Sequence, residues 1–480
     1  MSKAIEKIKT IGETLWNHKK KAIFFSGVAA YGLSCLRQYN RDGRIRTFYA
    51  LEAKKYGEMA IAPTDTLKRV TVLINENANG RKVTDNFKKN ALPLLNLAGV
   101  DVTILKVKDE AEMAAMGRAL DRSEADCVYV VGGDGTLTCF LGDALAAERS
   151  IADRPAICVF PGGRRNAFLC RLVPGIFEKE NDVRRYCESA MAILEDVRRD
   201  VFPIRCDIVN NANADETKTY YVLSDVRAGW LEHCAQRQPK LWYWGVFRDR
   251  VVYALEFLKR FPEPLSLRVS YTEFCAGCRR CRRSVAERDS GKAASRSTPT
   301  AANMERPRSW LSTFLGSWST VRTSPNPTRK LVDFSNVINE RCGFTNSTTL
   351  ETADLQIDCT QSENCSGLEL AASAPFSSRF AAMRAGWARE TQRLASAHSS
   401  NRPNDVEQRI NDETETRIPA SEITIQFAHM PNFIQKLAIA GDWAPFENFA
   451  EKTLRISATD QKIEIYSPRN AISRIQLENC

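Results

Sequence analysis

The sequence predicts an α/β fold in which a doubly wound parallel sheet is followed by a β-rich second half. From Val70 onward, short β-branched runs alternate with helix-like segments, which is typical of a parallel sheet covered by helices on both faces. One uncharged run, 128–131, ends abruptly in the glycine-rich turn 132–136 and continues as a helical pattern. Two more polar turns follow other strands of this series. Because parallel strands end at a shared edge, we expect the three turns to meet in one crevice.

The order of the predicted elements places a first domain at 63–203 and a second at 204–480. In the first domain the strands are predicted at 70–74, 102–107, 128–131 and 156–160, and the helices at 85–97, 110–120 and 137–147. Later strands are predicted at 203–209, 220–223, 266–271, 422–427, 454–456 and 462–466, with an aromatic helical segment at 241–261. Two polar stretches, 273–338 and 371–417, have the composition of flexible, disordered insertions.

The chain has 480 residues and a net charge of +10, which favours an anionic partner such as a phospholipid surface or a nucleotide. Its length is ample for a large core and more than one domain. No nucleic-acid partner is predicted, because the sequence has no zinc-finger spacing, RNA-recognition signature or long basic helix.

The N-terminal segment, 1–62, is basic and contains one uncharged run, 22–36, which is followed by Arg37. A helix that spans a bilayer needs about 20 apolar residues, so this run is short for a full span. A short or in-plane membrane anchor flanked by cations is predicted. The alternative is a helix packed on the following domain.

The turn Gly132-Gly133-Asp134-Gly135-Thr136 carries the candidate chemistry. A strand-to-helix turn of this kind leaves backbone N–H groups free and points a helix N-terminus at its ligand, which suits polyphosphate. Asp134 adds a carboxylate that could hold Mg²⁺ against the phosphates. The alternative is a plain glycine turn with a capping aspartate. The turn is not a Walker A loop, because Gly-x-x-x-x-Gly-Lys-Ser/Thr does not occur in the chain.

This turn resembles the GGDGT motif that the diacylglycerol kinase catalytic superfamily shares with the NAD kinases. The loops 75–82 and 161–169 resemble the first and third motifs of the diacylglycerol kinases. The stretch 90–104 and the pair Tyr243-Trp244 look like the mitochondrial acylglycerol kinases. The resemblance is good over 65–272 and weaker near the C-terminus.

The resemblance implies a two-lobed lipid kinase fold with ATP and Mg²⁺ as cofactors and an antiparallel β-rich lobe that holds an acylglycerol. It implies that Asp134 is catalytic and holds the metal. The residues that it places at the nucleotide are Asn75, Gly80, Arg81, Lys82, Gly132, Gly133, Gly135, Thr136, Gly163, Arg164 and Asn166.

The resemblance also implies a catalytic base in a short Asp-Gly-Glu-like stretch just before a pair of late strands. Glu451 is the matching position, and it would accept the proton of the lipid hydroxyl. Glu232 and His233, near the junction of the two lobes, are the competing candidates for this role.

Mono- or diacylglycerol is the implied lipid substrate, and the mitochondrial inner membrane facing the intermembrane space is the implied location. Three other functions stay open: a scaffold of weak or no activity in a carrier-protein import complex, a sphingosine or ceramide kinase, and an NAD kinase. Glu76 and Arg164 depart from the family pattern beside the nucleotide, and both favour the scaffold.

Three cysteines, Cys275, Cys278 and Cys281, form C-x2-C-x2-C among arginines. Such spacing can belong to a metal or redox site. Because the nearby sequence suggests no fourth ligand, we predict an exposed basic loop instead.

Overall fold

The computed structural model describes two lobes, each built around its own sheet. The described residues are 19–59, 67–78, 82–146, 153–177, 182–211, 217–275, 277–281, 337–361, 365–396, 415–431, 433–434, 436–446 and 449–469. Within them, the first lobe has a six-stranded sheet and the second an eleven-stranded sheet.

The first sheet has the strand order β2-β1-β3-β4-β17-β5. Its strands are β1 (Arg69–Asn75), β2 (Asp101–Val107), β3 (Cys127–Gly132), β4 (Ala156–Pro161), β5 (Arg198–Val201) and β17 (Ile463–Tyr466). All neighbours pair in parallel except β17 and β5. The chain order reverses between β1 and β3, so a crevice is expected outside their carboxyl ends.

Helices cover both faces of this sheet, which confirms the doubly wound prediction. They are α1 (Lys19–Gly57), α2 (Lys82–Asn90), α3 (Leu92–Leu97), α4 (Glu110–Ala119), α5 (Asp134–Ala146), α6 (Ala167–Leu172) and α7 (Arg184–Leu194). Side chains alternate along each strand, so Tyr129 packs with α1, α2, α3 and α7, whereas Val130 packs with α4, α5 and α6.

The strand β17 corrects the predicted domain boundary. It was expected in the second domain, 204–480, but it pairs with β4 and β5 in the first sheet. Ile465 is fully buried there, and burial of this apolar strand between two others explains the return of the chain. The two lobes are therefore joined twice.

The second sheet is antiparallel throughout. Its strands are β6 (Ile204–Asn210), β7 (Lys218–Val222), β8 (Asp225–Gly229), β9 (Leu265–Glu273), β10 (Thr345–Thr352), β11 (Asp354–Gln361), β12 (Ser366–Ser373), β13 (Glu415–His429), β14 (Lys436–Ile439), β15 (Asp442–Pro445) and β16 (Lys452–Ala458). Alternate residues of these strands form one apolar core. A short 3₁₀ turn, Phe449–Glu451, precedes β16.

Four helical segments pack outside this sheet: α8 (Trp230–Arg237), a 3₁₀ segment (Gln238–Phe247), α9 (Arg248–Lys259) and α10 (Arg379–Ser396). The last corrects part of the predicted flexible insertion 371–417. Ala382 of α10 is buried beside Trp230, and Gly386 lies so close to the Tyr253 ring that a Cβ atom would clash. These contacts order the helix. Residues 397–414 lie outside the described part of the chain, as does most of the other insertion, 273–338.

The long helix α1 has two different halves. Residues 26–40 are exposed, whereas Ile45, Tyr49 and Ala53 are buried on the first sheet. The predicted anchor, 22–36, thus begins a helix whose other half packs on the lobe. Among the described helices, none combines the length and apolarity needed to cross a membrane.

The docking of α1 depends on a buried polar contact, which gives a stability prediction. Tyr49 donates a hydrogen bond of 2.6 Å from its hydroxyl to the Glu188 carboxylate, and both residues are buried. Tyr49→Phe removes a donor to a buried carboxylate, so we expect the free energy of unfolding to fall by about 1–3 kcal/mol. Tyr39→Phe is the control, because Tyr39 is exposed. Equal urea midpoints for the two variants would contradict this role.

Candidate functional site

A crevice of about 740 Å³ lies between the two lobes. Its first wall is made by the turns that follow β1, β3 and β4, as the sequence predicts. Its second wall comes from the other lobe and includes Arg227, Gln238, Arg389 and Asp442. The residues that line it therefore come from chain positions far apart.

The turns after β3 and β4 touch backbone to backbone. A Cβ atom on Gly133 would lie 2.9 Å from the Cα of Gly163, and one on Gly163 would lie 2.6 Å from the Cα of Gly133. Gly162 also donates its backbone N–H to the Gly132 carbonyl at 2.9 Å. Side chains at 133 and 163 would force the turns apart, so glycine is required for this close approach.

Two asparagines hold the other turns in place. Asn75, at the end of β1, donates from Nδ2 to the Thr136 hydroxyl at 2.9 Å. Asn166 accepts from the Gly163 N–H at 2.8 Å and donates to its carbonyl at 3.0 Å. Asn166 is buried with a φ of 51°, a left-handed conformation that asparagine tolerates better than most residues.

Asp134, the predicted metal ligand, makes two hydrogen bonds to another loop. Its carboxylate oxygens accept N–H groups of Ala167 at 2.7 Å and Phe168 at 3.2 Å, at the start of α6. Desolvation by the surrounding loops, with a contribution from Asp225, raises the pKa of Asp134 to about 6. The carboxylate thus ties the glycine turn to the third loop, although Asp134 still lines the crevice.

The structure brings most of the predicted nucleotide residues together. Those that line the crevice are Asn75, Gly133, Asp134, Gly135, Thr136, Gly163, Arg164 and Asn166. Gly132 lies just behind them, as the last residue of β3. Lys82 is exposed at the start of α2 and is not one of the lining residues. Gly80 and Arg81 lie outside the described residues.

The two departures from the family pattern lie in different places. Glu76 forms an ion pair with Lys106 at 2.7 Å, on the neighbouring strand β2, and is not one of the lining residues. Arg164 lines the crevice and donates to the Gln238 side chain at 3.2 Å, so this hydrogen bond joins the first wall to the second.

Glu451, the predicted base, lies outside the crevice. It is exposed in the 3₁₀ turn before β16, and its carbonyl accepts the N–H of Asn211 at 2.7 Å. Glu451 is not one of the residues that line the crevice, and β16, which follows it, pairs with β6. The assignment of Glu451 is corrected for this reason.

Asp442 is the carboxylate that faces the glycine turn from the second lobe. It contacts Gly135 so closely that a Cβ atom there would overlap the carboxylate. Desolvation in the crevice and the nearby Glu110 carboxylate raise the pKa of Asp442 to about 6. The sequence carried a signal for it, since Ala440-Gly441-Asp442 resembles the Asp-Gly-Glu-like stretch. Ala440 and Gly441 both have positive φ, 51° and 82°, which forms the tight turn that presents Asp442.

The other two candidate bases are engaged elsewhere. Glu232 is buried and pairs with Arg165 at 2.7 Å and Arg389 at 3.2 Å. Burial alone would raise the pKa of Glu232, but the guanidinium groups of Arg165 and Arg389 lower it to about 2. His233 packs against Phe433, with ring centroids 5.1 Å apart, and is not one of the lining residues.

Cations surround the crevice. The lining residues with positive charge are Lys108, Arg164, Arg165, Arg227 and Arg389. The Nη1 atom of Arg165 is buried and has no hydrogen-bond partner among the described residues. A buried donor of this kind calls for an acceptor, and a bound anion would supply one.

Comparison with known proteins places these features in a family. The model for the diacylglycerol kinase catalytic domain matches residues 69–196, which run from β1 through α7. An uncharacterized protein of Caenorhabditis elegans is 32% identical over 472 residues, 98% of each chain.

Relatives named mitochondrial acylglycerol kinase cover less. The Xenopus laevis protein is 29% identical over 269 residues, 55% of this chain and 60% of that protein. The human protein is 27% identical over 263 residues, 54% of this chain and 59% of that protein. The match thus spans about 60% of the length of these kinases. With the glycine turn inside the matched range and a second, antiparallel lobe beside it, the chain belongs to the diacylglycerol kinase catalytic domain family, as a relative of the mitochondrial acylglycerol kinases.

Proposed function

We propose that this protein transfers the γ-phosphoryl group of ATP to a hydroxyl of mono- or diacylglycerol. One observation carries the proposal: Asp442, from the second lobe, faces the N-terminus of α5 and its glycine turn across the crevice. The arrangement puts a proton acceptor opposite an anion-binding helix end, which is what phosphoryl transfer to an alcohol requires.

The residues present fit a bound nucleoside triphosphate. The glycine turn at the N-terminus of α5 lines the crevice, a position that suits phosphate, and the buried Nη1 atom of Arg165 needs an acceptor. Mg²⁺ would neutralise the phosphate charge. We assign Asp134 to the metal through bound water, because its own oxygens already accept two backbone N–H groups.

Asp442 would act as the general base. As the lipid oxygen attacks the γ-phosphorus, Asp442 takes the hydroxyl proton, the bond to the bridging oxygen breaks, and ADP leaves. With its pKa raised to about 6, Asp442 is a stronger base than an ordinary aspartate and is still ionised at neutral pH.

The acceptor is assigned to lipid rather than NAD because of an aromatic surface beside the crevice. Gln238 lines the crevice and begins the 3₁₀ segment. The same segment carries four exposed aromatic side chains, which are Trp242, Tyr243, Trp244 and Phe247. Rings that combine an apolar body with a polar tip suit the interface of a bilayer. Lys240, also exposed, adds charge that attracts anionic headgroups.

We propose a mitochondrial location because relatives of this chain are named mitochondrial acylglycerol kinase. We propose membrane attachment through the exposed residues 26–40 of α1, which begins with lysines. The argument for a scaffold is weakened at Glu76, which pairs with Lys106 and does not line the crevice, whereas Arg164 lines the crevice and contacts Gln238. An import-complex partner remains a proposal that rests on the family resemblance alone.

The direct test offers Mg·ATP with monoacylglycerol, diacylglycerol, sphingosine, ceramide or NAD to the purified chain. We expect phosphorylated acylglycerol. Asp442→Asn keeps the shape of the side chain but cannot accept the proton, so turnover should fall by about 10²–10⁴ while ATP binding is not weakened. Glu451→Gln is the matched control and should keep near-normal turnover. Loss of turnover in Glu451→Gln but not in Asp442→Asn would reverse the assignment, and transfer to NAD alone would reject a lipid kinase.

The raised pKa of Asp442 predicts a pH profile. The base must be ionised, so kcat/KM should rise with pH and level off above an apparent pKa of about 6. Glu110→Gln removes the neighbouring negative charge, which lowers the pKa of Asp442 and moves this acid limb to lower pH. Glu124→Gln, at an exposed residue outside the crevice, is the control. An acid limb that stays in place in Glu110→Gln would contradict the coupling.

The aromatic surface predicts lipid-surface binding. We expect the double variant Trp242→Ala/Trp244→Ala to bind anionic vesicles about tenfold more weakly, a loss of ~1.4 kcal/mol. Phosphorylation of vesicle-embedded acylglycerol should fall with it, whereas a soluble short-chain acceptor should be used as before. Leu97→Ala, at an exposed apolar residue of the first lobe, is the control. Unchanged sedimentation of the double variant with vesicles would remove this surface from the proposal.

A further inference from the structure

The second lobe contains four cysteines whose sulfur atoms lie together, and we call them the four-cysteine cluster. They are Cys275, Cys278, Cys281 and Cys342, and their sulfur atoms all lie within 4.8 Å of one another. The first three follow β9 and the fourth precedes β10, so the fold supplies the ligand that the local sequence lacked. The predicted exposed basic loop is corrected here, because Cys278 and Cys342 are buried and the other two are half-buried.

The spacing of the sulfur atoms identifies the kind of site. The Sγ atoms of Cys278 and Cys281 are 3.6 Å apart, and those of Cys281 and Cys275 are 4.0 Å apart. A disulfide would place two sulfurs at about 2.0 Å. A tetrahedron of thiolates around Zn²⁺, with Zn–S bonds of about 2.3 Å, has sulfur-to-sulfur edges of about 3.8 Å. The observed separations match the edges of that tetrahedron.

The surroundings of the cluster resemble the outer shell of a metal–thiolate site. The backbone N–H of Cys278 donates to the Cys281 sulfur at 3.2 Å. Arg280 donates to the Cys342 carbonyl at 3.1 Å, and its guanidinium lies 5.6 Å from the centroid of the Phe344 ring. Four thiolates around a divalent ion leave a net charge of −2, which donors and a nearby cation stabilise.

We propose that the four-cysteine cluster binds one structural Zn²⁺ ion. Borderline-soft Zn²⁺ accepts four thiolates in tetrahedral geometry, whereas Mg²⁺ and Ca²⁺ require oxygen ligands. Zinc binding would release the thiol protons. It would also join the two ends of the connection 274–344, next to the first residue pair of β9 and β10, Thr272 and Thr345. The backbone contact from Arg279 N–H to the Val337 carbonyl, 2.9 Å, closes the same two ends. This site is independent of the proposed kinase reaction.

The first experiment measures metal in the full chain, purified without chelators from cells grown with added zinc. We expect about one zinc per chain by elemental analysis and four sulfur neighbours at about 2.3 Å by X-ray absorption. A mercurial reagent that caps thiols should release that zinc stoichiometrically. Purified protein without zinc, with iron in its place, or with the cluster oxidised to disulfides would overturn the proposal.

Variants test the ligand set. Cys342→Ser should lose most of the zinc, and Cys342→His should keep it, because imidazole also binds Zn²⁺. Cys35→Ser, at an exposed cysteine of α1, is the matched control and should keep full zinc content. If Cys342→Ser does not fold, Cys275→Ser, at a half-buried ligand, replaces it. Full zinc retention in a folded ligand variant would exclude the four-cysteine cluster as the site.

Discussion

The crevice depends on one buried carboxylate that bridges the two lobes. Glu232 of the second lobe pairs with Arg165, from the third loop of the first lobe, and with Arg389 of α10. Arg389 extends the network to Asp354, at 3.5 Å, at the start of β11. A buried charge of this kind is costly unless it is paired, and removal of one partner leaves the others uncompensated. The network therefore ties the third loop of the first lobe to α8, α10 and β11 of the second lobe, beside the crevice.

The same network explains the position of the anion-binding donors. Because Glu232 engages one side of the Arg165 guanidinium, the Nη1 atom on the other side is left buried and without an acceptor in the described structure. An arginine fixed by a carboxylate loses less conformational freedom on binding phosphate than a free surface arginine does. The Glu232 carboxylate thus acts through Arg165, as a positioning group, and the competing role of base is incompatible with its lowered pKa.

The sequence predicts the first lobe well because its information is local. Strand runs, helix periods and the turn 132–136 each lie within a few residues, and their order is enough to indicate a parallel sheet with its ligand edge. Contacts between distant segments could not be predicted in this way. The strand β17 has only four residues, and nothing in its local sequence indicates that it pairs with β4; Cys342 likewise lies far along the chain from the other three cysteines. Asp442, the base that we propose, follows Ala440 and Gly441 and so lacks the residue types of the Asp-Gly-Glu-like stretch, whereas Glu451 lies just before a late strand pair, where the resemblance places the base.

The contact between Asp442 and Gly135 joins the two lobes at the glycine turn. Gly135 is the residue of the glycine turn whose Cα faces the second lobe, and any side chain there would displace the Asp442 carboxylate. Glycine at 135 thus lets a carboxylate from the other lobe approach the turn directly. In the proposed reaction, phosphate oxygens bind at the helix end that this carboxylate contacts, and both groups are anions. The proposal therefore requires Asp442 to move away from Gly135 and toward the acceptor hydroxyl when nucleotide binds. The same repulsion would raise the pKa of Asp442 with each added phosphate charge, so the bound nucleotide would strengthen the base that we propose.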